Sequence, residues 1–199
     1  MNIKNNEDVY KELDDFAKLL IEMYITARQF KNAVKDDEMI ILPSTNNTNS
    51  VLNWGGTKVK ICGNETIIRI YPFIVNKAFS CEVYLKLLLK TYNFDIYSLK
   101  HYERHNLFIL YQNTTAEFKE DMLNYFSKTY GEEVNKEFIE NQIHNISNAF
   151  KHWRYIYDHV NDFNEINNGF LNIFCNYLDN YCIKTIYKKY NYDVKQNMR

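Results

Sequence analysis

Apolar residues recur at alternating steps of four and three near the start of this chain, at Val9, Leu13, Phe16, Leu20, Met23, Ala27, Phe30 and Val34. Only an α-helix gathers positions of that spacing onto one face, so the pattern predicts one long first helix. A seam this regular has to be covered by apolar surface, supplied by a second chain or by the rest of the same bundle. In 199 residues that are 46% hydrophobic the chain can supply the cover itself. Only 5 glycines and 2 prolines punctuate it, too few for the many tight turns of a sandwich or a propeller. The expectation is a mainly α protein folded as a single domain over 1–199.

The seam breaks across 36–71, where Pro43, a polar run at 44–50, Gly55-Gly56 and Gly63-Asn64 enclose two short alternating runs, 58–62 and 66–71. Gly63-Asn64 is good chemistry for a two-residue turn, so a small β-hairpin insertion is predicted near 57–71. Gly55-Gly56 is not followed by GK[ST] or by a helix, so it reads as a turn leading into the hairpin rather than as a phosphate loop. Pro72 suits the first turn of a second helix reaching about Tyr92. A short helical piece follows at 105–111, then helices at 115–129, 133–158 and 163–190. The sum is a bundle of five or six helices carrying one hairpin.

Net charge limits the partners. At -1 the chain offers no global footprint for nucleic acid or an anionic membrane, so RNA would have to be held by a local basic patch. The opening MNIKNNEDVY has no apolar run after a basic start, and no later run reaches the length of a membrane span. A cytoplasmic protein with no membrane partner is expected. Four cysteines, Cys62, Cys81, Cys175 and Cys182, form no CxxC pair, and Cys175 and Cys182 fall seven apart on one helix face. That placement suits reduced core thiols better than a zinc site. No metal and no cofactor is expected.

Chemistry-bearing residues stand out by being in the wrong place. Glu82 falls on the same helix face as Ala78, Cys81 and Leu85, where a carboxylate needs a partner or a proton. Arg154 is likewise set among Phe150, Trp153, Tyr155 and Tyr157, and a Glu82 contact with Arg154 is expected. Such a pair either fixes helix register or positions Arg154 to hold a phosphate. His159 follows Arg154 by five residues, which on a continuous helix turns the two about 140° apart. They can act together only if the helix ends near Asp158. In that case His159 is a general acid or base and Arg154 stabilises phosphorane charge without a metal.

His101-Tyr102-Glu103-Arg104-His105 is not the HExxH zinc motif, and His105 reads as a capping, loop-packing or site-flanking residue. Lys184 and Lys188 share a helical spacing that reads first as a solvated face and otherwise as a contact for a phosphate backbone, and Tyr155 and Tyr157 are either core aromatics or rings for stacking on bases.

Three stretches then resemble one family. The run PFIVNKAFSCEVYLKLLL at 72–89 resembles the N-x-AF-x-CE-x-x-LK-x-LL helix of the HEPN-like helical proteins of bacteria and their phages. His105-Asn106-Leu107 resembles the H-D-L that follows it there, and AFKHWRYIYD at 149–158 resembles the AF-x-x-WRY-x-YE helix. The three motifs occur in the family's order and anchor 72–160. The resemblance implies a helical bundle, frequent homodimers and, in active members, a metal-independent endoribonuclease built on Arg, four to six residues, then His. Here that motif maps onto Arg154 and His159, with Glu82 orienting Arg154 and with Trp153 and Asp158 flanking them. Active members often carry Asn, Asp or His directly after the Arg, where this chain has Tyr155. A toxin or phage-defence setting follows, with an antitoxin as the expected protein partner. The family also contains noncatalytic modules that bind RNA or a protein.

Overall fold

In the computed structural model, residues 6–33, 51–54, 57–60, 70–131, 133–147 and 168–194 are described below. They are mainly helical. Helices α1 (Asn6–Glu12) and α2 (Asp15–Asn32) precede strands β1 (Val51–Trp54) and β2 (Thr57–Lys60). Helices α3 (Ile70–Thr91), α4 (Leu107–Gln112), α5 (Ala116–Tyr130), α6 (Lys136–Ile146) and α7 (Asn168–Tyr190) follow.

The expected single first helix is two. Asp14 takes an extended backbone and its carboxylate accepts a 2.6 Å hydrogen bond from the Ala17 N–H, so a new helix is capped where the seam alone would have run on. The buried face of α2 is also rotated from the seam: Ala17, Leu20, Ile21, Tyr24 and Ala27 face the core, while Phe16, Leu19 and Phe30 stay exposed. Phe30 meets Phe79 edge-on at 4.6 Å.

The hairpin is displaced as well. Val51 pairs with Lys60 and Trp54 with Thr57, so the two strands are antiparallel neighbours in sequence, while the expected turn at Gly63-Asn64 lies outside the described residues. The run expected as the first strand supplies part of the second. Of the run expected as the second strand, Ile70 and Tyr71 open α3, two residues before Pro72.

Among the described helices α3 makes the most extensive packing, against α2, α7 and α4. One contiguous buried cluster joins Leu20 and Tyr24 of α2, Ala78, Tyr84 and Leu88 of α3, and Phe174, Leu178 and Cys182 of α7. Helix α5 adds Met122, Phe118 and Phe126, and the two phenylalanine rings meet those of Phe170, Tyr177 and Tyr181 of α7 at 5.0–6.2 Å. Cys81, Cys175 and Cys182 are buried and free.

Asparagine and threonine do much of the punctuation. Asn106, Thr115 and Asn135 cap α4, α5 and α6, accepting from the Ile109, Phe118 and Phe138 N–H groups at 3.0, 3.2 and 2.8 Å. Asn93 and Asn191 take the left-handed conformation, φ 59° and 51°, just beyond α3 and α7. That is the position glycine commonly fills at helix ends, and asparagine tolerates it.

Candidate functional site

Glu82 projects from the middle of α3 into apolar surroundings and is only 2% exposed. Two donors meet its Oε1: Lys86 Nζ, one turn on along α3, at 2.6 Å, and His105 Nδ1 at 2.9 Å. Its Oε2 is buried with no hydrogen-bond partner among the described residues. A carboxylate is stable there only because cationic or polar donors compensate its lost hydration.

His105 arrives from a compact segment between α3 and α4, built of two short 3-10 turns, Ile96–Ser98 and Glu103–His105. The segment is tied to itself. The Asp95 carboxylate accepts from the Tyr97 N–H, the Glu103 carboxylate from the Lys100 N–H, and the Arg104 guanidinium donates to the Leu99 and Tyr97 carbonyls, all at 2.8–2.9 Å. Immediately after His105, Asn106 caps α4, so the imidazole is placed by two fixed backbone neighbours rather than acting as the cap itself.

Against a carboxylate that only accepts, His105 Nδ1 is the donor of the shared hydrogen bond and Nε2 is left as the second ring nitrogen. The His105 side chain is 45% exposed, and its Nδ1 is turned inward to Glu82. His101 lies beside it, ring centroids 5.4 Å apart. Chemically, this is an oriented general base or acid with a buried carboxylate behind it and an ammonium beside it.

Of the sequence candidates, Glu82 and His105 are brought together. Arg154, His159, Trp153, Tyr155, Tyr157 and Asp158 lie outside the described residues, and the expected Glu82 contact with Arg154 lies there with them. Lys184 and Lys188 stand elsewhere, on the exposed side of α7, where with Tyr92, Glu117, Asp121, Tyr181 and Lys189 they line an open cleft of about 540 Å³. Two carboxylates facing those lysines make this a mixed-charge surface.

Two features escaped the sequence. Lys86 is the Glu82 partner at i+4, a spacing that could have been read on any helix. The second is Asp179, buried between α2, α3 and α7. Its Oδ1 accepts from the Tyr24 and Tyr84 hydroxyls at 2.7 and 3.1 Å, and its Oδ2 from Lys31 Nζ at 2.5 Å. Burial alone would raise the Asp179 carboxyl, but the Lys31 and tyrosine hydrogen bonds outweigh it and hold the group below its ordinary value. The same burial, with the Asp179 charge added, pushes the Tyr24 and Tyr84 phenols up. Asp179 sits among Cys175, Leu178 and Cys182 on its helix, the same anomaly that singles out Glu82.

Comparison with protein-family models, with curated proteins and with solved structures finds no match. Among the described residues no helix is long and apolar enough to cross a membrane.

Proposed function

We propose that this chain is an HEPN-like protein that acts on RNA as a metal-independent endoribonuclease of a toxin or phage-defence system, working as a homodimer. The observation that supports this reading is the Glu82 carboxylate. It is buried at the centre of the very helix whose sequence carries the resemblance, with Oε1 engaged by Lys86 and His105 and Oε2 unmet among the described residues. A carboxylate so placed has an acceptor left for a guanidinium. In the proposal that guanidinium is Arg154, which would then stabilise charge on the scissile phosphate while His159 carries a proton.

A second reading, a noncatalytic module that binds RNA or a protein such as an antitoxin, is favoured by the exposed apolar residues Phe16, Leu19 and Phe30 on α2.

Incubation of the purified chain with total RNA in EDTA, beside Arg154→Ala, His159→Ala and Glu82→Gln, separates the two. Cleavage that persists under chelation and falls by roughly 10²–10⁴-fold in the Arg154 and His159 variants is the expected result. RNA left intact by the wild type over a wide protein concentration range overturns the nuclease reading.

A further inference from the structure

Along the open cleft where the end of α3 meets α5 and α7, charges of opposite sign are kept apart. Glu117 and Asp121, one turn apart, line it from α5, and Lys184 and Lys188, also one turn apart, line it from α7. Among the described residues no ion pair joins the two sets, and Glu117, Lys184 and Lys188 have no hydrogen-bond partner. We propose that this cleft binds a small molecule carrying a phosphate monoester and an amine, with the phosphate on Lys184 and Lys188 and the ammonium at Glu117 and Asp121. The proposal is independent of the nuclease reading and of the Glu82 site.

The cleft is held open by fixed contacts. The Tyr177 hydroxyl lies 3.0 Å from Asp121 Oδ2, and the Phe118 ring meets the Tyr181 ring edge-on at 5.0 Å, so aromatic rings stand between α5 and α7. Lys189 Nζ donates to the Thr91 carbonyl at 3.1 Å, which ties the last turn of α7 to the last residue of α3. The enclosed volume of about 540 Å³ is that of a site for one small organic ligand.

Charge identifies the two ends of the ligand. Two ammonium groups match the nearly two negative charges of a phosphate monoester at neutral pH, and lysine holds phosphate as a point charge, whereas a lone carboxylate is better gripped by the arginine fork. At the other end, two carboxylates beside the rings of Tyr92 and Tyr181 suit an ammonium, which is drawn both to the charges and to the aromatic faces. The negative character of that end already acts on the protein: burial, then the hydrogen bond with Tyr92 and the charges of Glu117 and Asp121, push the Tyr181 phenol up. Bare phosphate and a nucleic-acid backbone bring no cation for these carboxylates and are repelled by them.

The body between the two ends is read from the hydroxyls that line the cleft. Thr91 Oγ1 donates to the Leu87 carbonyl and Thr185 Oγ1 to the Tyr181 carbonyl, each at 2.9 Å, so what remains to both oxygens is to accept. A hydroxyl-bearing body supplies the donors, and the class that combines it with an amine and a phosphate is an amino-sugar phosphate.

The test is a ¹H–¹⁵N NMR titration of the full chain with glucosamine 6-phosphate and with phosphoethanolamine, beside glucosamine, glucose 6-phosphate and inorganic phosphate, each of which offers one end only. Both amino phosphates should shift amides of α5 and α7 around Glu117 and Lys184, glucosamine 6-phosphate with the lower Kd, and the single-ended molecules should bind roughly tenfold more weakly. A Lys184→Ala/Lys188→Ala double variant should weaken glucosamine 6-phosphate by roughly tenfold. Glu117→Lys should weaken glucosamine 6-phosphate and tighten inorganic phosphate, a reversal that loss of structure would not produce. Vesicles rich in phosphatidylethanolamine present the same amine on a singly charged phosphodiester and should not be bound. Inorganic phosphate binding the wild type as tightly as glucosamine 6-phosphate overturns the proposal, as does unchanged affinity in both variants. Binding to the vesicles without binding to the free monoesters, or no shift with either amino phosphate up to about 10 mM, overturns it as well.

Discussion

Asp179→Ala is the sharpest test of how the core is held. The wild-type carboxylate accepts from two buried phenols and one ammonium, and the Asp179 and Lys31 side chains are only 11% and 14% exposed. Removing one partner of a buried ion pair costs about 3–5 kcal/mol. Lys31 keeps some access to water, so the ionic part should fall at the low end, while the two phenols each lose an acceptor worth about 1 kcal/mol. These losses overlap, and a total of about 4 kcal/mol is expected. For a chain of this size that lowers Tm by roughly 8–16 °C. Asp179→Asn, which keeps an acceptor for the tyrosines but not the charge for Lys31, should lose about half as much. The pH dependence carries the sign. Because the folded-state carboxyl lies below its ordinary value, its contribution is fully present above the unfolded value of about 4 and is lost as pH falls through the folded value. Urea unfolding followed at the helical band should therefore show a constant gap between wild type and Asp179→Asn near neutrality that closes in acid. A gap under about 1 kcal/mol at neutral pH, or one that persists undiminished in strong acid, would refute this account.

Two further outcomes follow from local geometry. Cys81, Cys175 and Cys182 are buried, and burial, followed by neighbouring thiol or carboxylate groups, pushes the Cys81 and Cys182 thiols up; maleimide should spare all three in native buffer and label them in urea, as peptide mapping will read, and rapid native labelling would contradict the packing. Asn106→Ala removes the α4 cap and should cost about 1 kcal/mol, or roughly 2–4 °C in Tm, with no change in Tm marking the cap as unimportant.

The fold was legible where a periodicity ran uninterrupted. Helix α5 falls within one residue of expectation because Thr115 announces its start and Phe118, Met122 and Phe126 keep step. Errors came where a local polar contact overrode a longer pattern. Asp14 lies inside an unbroken heptad count, yet its side chain ends one helix and begins another. Once α2 is recapped there, its buried face is chosen by contact with α3 and α7, and Tyr24 turns inward to reach Asp179 while Phe16 and Phe30 are left outside. A period of 3.5 alone does not encode that rotation, since two adjacent helical stripes of α2 are both apolar. The hairpin was harder to place because two Gly-containing dipeptides competed as turns: the observed pairing joins Val51–Trp54 to Thr57–Lys60, and the expected turn at Gly63-Asn64 lies outside the described residues.

The site was legible only as an anomaly. A charge on an apolar face must be compensated, which made Glu82 stand out, but that requirement names no partner. Helical spacing would have given Lys86, whereas His105 lies 23 residues away in sequence and reaches Oε1 only because two 3-10 turns fold the 95–105 segment back onto α3. The difference between the two buried carboxylates also lies in three dimensions. Asp179 has donors on both oxygens, all from the core, and serves stability. Glu82 has both its donors on one oxygen, one of them a half-exposed imidazole, and keeps the other oxygen uncommitted among the described residues. In the proposed function that oxygen is the one that meets Arg154, whereas both Asp179 oxygens are already taken by donors from the core. The asymmetry between Asp179 and Glu82 is therefore the physical reason to look for chemistry at α3 and for architecture at α7.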